Sequence, residues 1–139
     1  MKILKNVYNE IINVPFVPPE IGGIIGGTNK IIDCVYIDNY SFERNSSIYV
    51  PNVQRLNDHI ANWKNNGSIF YGIFHSHFFS QERLSLNDQK YITTIMNCMP
   101  SSISELYFPI VIPKQKIVSY LVFKHNGNFV IQNDFVQII

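Results

Sequence analysis

Several things are scarce in this chain of 139 residues, and each scarcity closes off a class of function. Charge of either sign is sparse: net charge is +1 and only 15% of residues are Asp, Glu, Lys or Arg. A nucleic-acid binder concentrates basic residues into a patch; none stands out here, so neither a polyanionic partner nor an acidic substrate is suggested. The two cysteines, Cys34 and Cys98, stand apart with no Cys-x-x-Cys spacing, which reads as buried free thiols and not as a disulfide or a nucleophile. Long apolar runs are missing too. The longest, such as Ile69 to Phe74, are far too short to span a bilayer. The opening Met1-Lys-Ile-Leu-Lys-Asn lacks the apolar stretch and cleavage site of a signal peptide. Alanine is nearly absent, and repeats, low-complexity tracts and linkers do not occur. What remains is a cytoplasmic protein with no membrane association, its residues 1–139 forming a single domain. A composition 46% apolar and 14% aromatic is that of a folded globule.

The richest stretch runs from His75 to Asp88. Ser68-Ile-Phe-Tyr-Gly-Ile-Phe74 precedes it, nearly unbroken in apolar character after the Asn65-Asn-Gly turn signal. This predicts a buried strand that runs into His75-Ser-His77. On an extended chain His75 and His77 share one face and Ser76 points to the other. Downstream, Ile92, Ile95, Met96 and Met99 recur at helical spacing, with Ser85 as N-cap and Asp88 in the first turn. Two imidazoles from a strand end and one carboxylate from a helix start make a three-ligand site. Three protein ligands leave a fourth position for water, the arrangement of a catalytic zinc. Taken singly, His-x-His is a weak signal, and Ser-x-x-Asp is commonly no more than a capping box.

The joint spacing is more specific. With His75, His77, Ser85 and Asp88 at these intervals, the chain resembles the JAB/MPN family of metallopeptidases, whose JAMM motif adds an upstream glutamate. Pro18-Pro-Glu-Ile-Gly-Gly-Ile-Ile-Gly-Gly27 is similar to the family's glutamate segment, with Glu20 as the acid. The resemblance covers roughly residues 15 to 123. It implies an α/β fold of cytidine-deaminase-like layout, a curved mixed sheet sandwiched by helices. It also implies a zinc ion (Zn2+) on His75, His77 and Asp88, Glu20 as general base, and Ser85 as donor to the oxyanion. The reaction so implied is deubiquitinase-like: hydrolysis of a peptide or isopeptide bond at the C-terminal tail of a ubiquitin-like modifier or sulfur-carrier protein. An extended tail of that kind would lie along a sheet edge beside the metal by β-augmentation. The alternative is a non-catalytic scaffold of the same fold, against which the intact ligand set argues. Oligomeric state and the identity of the substrate are not legible. Two positions depart from the family's prolines: Phe78 follows the second histidine and Leu84 precedes the serine. Phe78 and Phe79 are either an apolar wall of the cleft or plain packing.

Elsewhere the reading is coarser. Residues 3 to 14 mix Ile3, Leu4, Val7, Tyr8, Ile11, Ile12 and Val14 without a clean period and read as a strand, a short helix being the alternative. The glycines at 22, 23, 26 and 27 match no phosphate-binding loop and mark close backbone approach in a strand. Ile31 to Ile37 is the returning strand, and Asp38 to Ser47 a polar loop with solvated charges. Val53, Leu56, Ile60 and Trp63 form a helical stripe opened by Pro51 or Asn52, with His59 beside it. Leu106 to Ile112, interrupted by Pro109, is a strand at an edge or with a bulge. Lys116 to Phe123 and Phe129 to Gln132 flank the His125-Asn-Gly turn. Phe135 to Ile139 either docks on the body or meets a partner.

Overall fold

The computed structural model describes residues 1–16, 19–39 and 49–139. At its centre is β4 (Ile69–Ser76), the strand that ends in the histidine segment. On one side β4 pairs antiparallel with β2 (Gly22–Thr28), followed by β3 (Ile31–Ile37), the short β1 (Lys2–Ile3) and the short β9 (Gln137–Ile138). On its other side lie β5 (Glu105–Tyr107) and β6 (Ile110–Ile112), both parallel to β4 and both backed by β7 (Lys116–His125). Outermost is β8 (Asn128–Asp134), joined to β7 through the turn at Asn126 and Gly127. Among the described residues nine strands thus form one mixed sheet.

Helices cover both faces. The first, α1 (Lys5–Ile12), buries Val7 and Ile11 against Ile25, Ile32, Phe74 and Val111. On the opposite face Leu56 of α2 (Val53–Asn65) packs in one cluster with Ile92 and Met96 of α3 (Leu86–Cys98), over Ile24, Phe70, Ile73 and Leu106. Neighbouring residues such as Ile24 and Ile25, or Ile73 and Phe74, therefore feed different cores, as strand alternation requires. Phe70 and Ile73 are three apart yet share a core. The pairing of β2 with β4 explains it: Ile25 faces Gly72 but Gly26 faces Phe70, so Tyr71 is an extra residue. Such a bulge resets which face the strand presents.

One expectation is corrected here, and one pair of alternatives is narrowed. Residues 5–12 are a helix, not a strand. Val7 and Ile11 form one row at i, i+4, and Leu4, Tyr8 and Ile12 form a second that also packs on the core. A stripe this broad hides the 3.6-residue period in so short a segment. Pro109 does not sit on an edge: β5 and β6 both lie between β4 and β7, and the chain is interrupted at residues 108–109 inside the sheet. Cys34 is half-buried and Cys98 exposed, both free, so only the first approximates the buried thiol expected. The C-terminal segment docks, through β9 on β1, while Phe135 stays 80% exposed. Among the described residues no helix is long and apolar enough to cross a membrane.

Gly72 is where β4 and β5 come closest. A Cβ built there would stand 1.9 Å from the Tyr107 carbonyl oxygen, which is backbone and cannot swing aside. Gly72→Ala is expected to lower stability by about 1–3 kcal/mol through overpacking. A denaturant midpoint unchanged from wild type would contradict this packing.

Candidate metal centre

The site is assembled from three separate parts of the chain. β4 delivers the histidines, and α3 delivers Asp88. Glu20 arrives on the segment leading into β2. That segment is held by Ser76, the residue between the two histidines: the Ile21 N–H donates to Ser76 Oγ at 2.9 Å, and the Ser76 N–H donates to the Ile21 carbonyl at 2.6 Å. Ser76 is fully buried and Ile21 half-buried, so water competes little at the Ser76 end of these bonds. They extend the Gly22–His75 register by one step, and a further step sets Glu20 level with His77. As expected, Ser76 faces away from the histidine pair, and it serves as an anchor.

Around that anchor the donor atoms converge. The Nε2 atoms of His75 and His77 are 2.8 Å apart. Asp88 reaches both, with Oδ1 at 3.2 Å from His75 Nε2 and Oδ2 at 3.3 Å from His77 Nε2. Glu20, His75 and His77 each present a donor atom within 4.8 Å of the others'. On its far side His77 Nδ1 lies 2.9 Å from the Gln81 carbonyl oxygen. A carbonyl only accepts, so Nδ1 carries the proton and the Nε2 lone pair is aimed into the site. Ser85 caps α3 by a reciprocal pair of bonds: the Asp88 N–H donates to Ser85 Oγ at 3.0 Å and the Ser85 N–H donates to Asp88 Oδ2 at 2.7 Å. The capping box and the metal-site role are compatible, because the bonds that close the box also fix the carboxylate beside the imidazoles.

Electrostatics divide the two carboxylates. Burial pushes the Glu20 carboxyl above its ordinary value, outweighing the pull of the two imidazoles and of a hydrogen bond from the Tyr49 backbone. Burial acts on Asp88 in the same sense, but the imidazoles of His75 and His77 against it and the hydrogen bond from the Ser85 N–H overcome it and hold that carboxyl well below the usual range. Burial works to lower the His77 imidazole; its bonds to Asp88 and Gln81 prevail and raise it. Two acids in one site with pKa values driven apart are suited to different tasks.

These groups open onto a cavity of about 730 Å³ whose lining includes Glu20, Tyr49, His75, His77, Ser85, Asp88, Phe78 and Phe79. Phe78 and Phe79 thus form part of the cleft wall, and Phe79, 91% exposed, is no packing residue. No sheet edge lies free at the histidines among the described residues, because His75 pairs with Gly22 on one side and Ile110 on the other. β4 itself therefore offers no free edge there for an added strand. His59 is stacked on Tyr36, ring centroids 3.6 Å apart, and His125 ends β7 at an exposed turn.

One contributor escaped the sequence reading. Asp38, expected to be solvated, is 3% exposed; the rest of that expected loop, from residue 40, falls outside the described residues. Its Oδ2 accepts from the Tyr49 hydroxyl and the Asn52 N–H, each at 2.8 Å. Asn52 then caps α2 by accepting from the Arg55 N–H, and Tyr49 is the residue whose backbone bonds Glu20. A buried acid after a strand carries no signature of its own in sequence. Its signal was Tyr49 and Asn52, a hydroxyl and an N-cap that both need an acceptor.

No protein-family profile matches the chain, and no curated protein does. Solved structures do. A solution structure of a protein from Desulfitobacterium hafniense matches with a TM-score of 0.71 at 18% identity, covering 100% of this chain and 93% of that one. A second, from Salinibacter ruber, matches with a TM-score of 0.57 at 14% identity over 99% and 91%. At such identities the likeness establishes the fold alone.

Asp38→Ala leaves the Tyr49 hydroxyl and the Asn52 N–H without this acceptor in a buried setting. It is expected to destabilise the protein by about 2–4 kcal/mol, read by chemical denaturation; a loss under about 0.5 kcal/mol would show the cluster to be incidental.

Proposed function

We propose that this chain is a zinc metallopeptidase of the JAB/MPN type that hydrolyses a peptide or isopeptide bond at the C-terminal tail of a ubiquitin-like modifier or sulfur-carrier protein. The observation that carries the reading is the convergence of His75 Nε2, His77 Nε2 and both Asp88 oxygens within 3.3 Å contacts, with Glu20 beside them. The donor set fits zinc: two imidazole nitrogens, one of them fixed as the correct tautomer, and a carboxylate kept ionised. Glu20 also neighbours the histidines and competes for the role of ligand. The opposed carboxyl shifts favour Asp88 as ligand and Glu20 as proton carrier.

When bound, the ion would supply Lewis-acid chemistry, polarising the scissile carbonyl and bringing the pKa of water down to about 7. The protein's own residues do the rest. A Glu20 carboxylate oxygen takes the proton of the attacking water and returns it to the leaving amine, work worth roughly 10²- to 10⁴-fold. Ser85 Oγ accepts from the Asp88 N–H, which leaves its O–H to donate to the oxyanion of the tetrahedral intermediate. The Gln81 carbonyl holds His77 in register throughout.

Metal analysis of the purified protein is expected to give one zinc per chain, lost in His75→Ala; normal affinity in that variant would contradict the ligand assignment. Glu20→Gln is expected to keep fold and zinc while hydrolysis of tail-fusion substrates falls by at least ~10²-fold. A glutamate that only pinned its segment would instead lower the melting temperature and leave turnover normal, and a scaffold would show no turnover in either form.

A further inference from the structure

The cavity lining is of two unlike kinds. One is the polar group of Glu20, His75, His77, Ser85 and Asp88; the other is apolar, with Phe78, Phe79, Tyr91, Ile73 and Phe108. The apolar lining contains an anomaly. Phe79 and Ser80 both take left-handed backbone conformations, each with φ of 58°, a region that glycine or asparagine enters far more readily. A phenylalanine there serves neither the turn nor the core, since it is 91% exposed. Such strain persists only where surrounding structure enforces it, and here it is enforced. The Gln81 N–H donates to the Phe78 carbonyl at 3.3 Å, the Gln81 carbonyl accepts from His77 Nδ1 at 2.9 Å, and the Tyr120 hydroxyl donates to the Glu82 carbonyl at 2.8 Å. The loop that carries Phe79 is thereby tied to His77 at one end and to β7 at the other.

An aromatic ring that lines the same cavity as the histidines selects for what lies next to the reacting bond. We infer that the cavity accepts a bulky apolar side chain of the substrate, Phe, Leu or Met in kind, close to the scissile bond, with Phe79 as its specificity wall. The cavity, about 730 Å³ and lined in part by aromatic and aliphatic side chains, is of the size and lining that bind by burying apolar surface. The inference rests on the peptidase reading and adds the substrate class to it.

Binding tests it without requiring turnover. A hexapeptide of alternating Gly and Ser, and its relatives with a single Phe placed at each position in turn, would be titrated calorimetrically onto the full chain, zinc-loaded and chelator-treated. At least one Phe-bearing peptide should bind about tenfold or more tightly than the parent in both forms. Phe79→Ser should erase that preference; the ring is exposed, so the fold is not at stake, and the melting temperature checks this. Leu86→Ser, at a residue 76% exposed outside the cavity lining, should leave the preference intact. Equal binding of all peptides would overturn the inference, as would a preference surviving Phe79→Ser. So would a sedimentation result in which Phe79 mediates self-association and that association, not peptide, fills the cavity. The two readings fail separately. Selective binding without zinc or hydrolysis contradicts the peptidase alone, whereas zinc-dependent cleavage of Gly/Ser peptides with no preference contradicts the apolar subsite alone.

Discussion

Two hydrogen bonds between residue 21 and Ser76 decide whether there is a site at all. Glu20 is 55 residues upstream of His75 and sits at the end of a strand that begins only at Gly22. Its own segment is crowded with prolines, which lack the backbone donor a sheet ladder needs. The buried Ser76 side chain supplies the acceptor that the sheet ladder no longer provides there. Because strand alternation forces Ser76 to point away from the face that His75 and His77 share, one tripeptide provides both the imidazoles and the clamp. The second carboxylate is fixed in another way, by the first turn of α3, where the helix N-terminus favours a negative charge and Ser85 closes the box.

The same chemistry of burial yields two opposed acids because their partners differ. Asp88 lies against two imidazoles and accepts from a backbone amide, enough to keep it charged against desolvation. Glu20 has less compensation and is pushed toward the neutral form. A ligand needs the first property and a proton carrier the second. Asp38 and Tyr49 extend this network outward from Glu20 to the N-cap of α2, so the acid's surroundings are coupled to the packing of a helix.

What the sequence disclosed follows the strength of local signals. β4 was legible from its apolar run and turn boundary, and α3 from its Ser85 cap and periodicity, so the histidines and Asp88 could be placed at a strand end and a helix start. Glu20 was found through the resemblance; its position opposite His77 was not, because register between distant strands is a property of pairing. α1 was misread since two adjacent apolar rows erased its period, and its N-cap Leu4 provides no side-chain bond. Pro109 was given an edge or a bulge because proline lacks a donor; the edge is excluded, and a break between β5 and β6 accommodates it inside the sheet. Asp38 looked like one more charge on a polar loop. Phe79 was left between wall and packing, and only its exposure and backbone conformation separate them.

The central claim is that His75, His77 and Asp88 form the coordination sphere and that Glu20 stands outside it. X-ray absorption at the zinc edge, recorded on the loaded wild type and on Glu20→Gln, addresses this directly. The account predicts four light-atom neighbours at about 2.0–2.2 Å, two of them imidazoles, with the same spectrum in the variant. A Glu20→Gln spectrum that loses an oxygen neighbour, or an unchanged spectrum in Asp88→Ala, would place the wrong carboxylate on the metal and contradict the account.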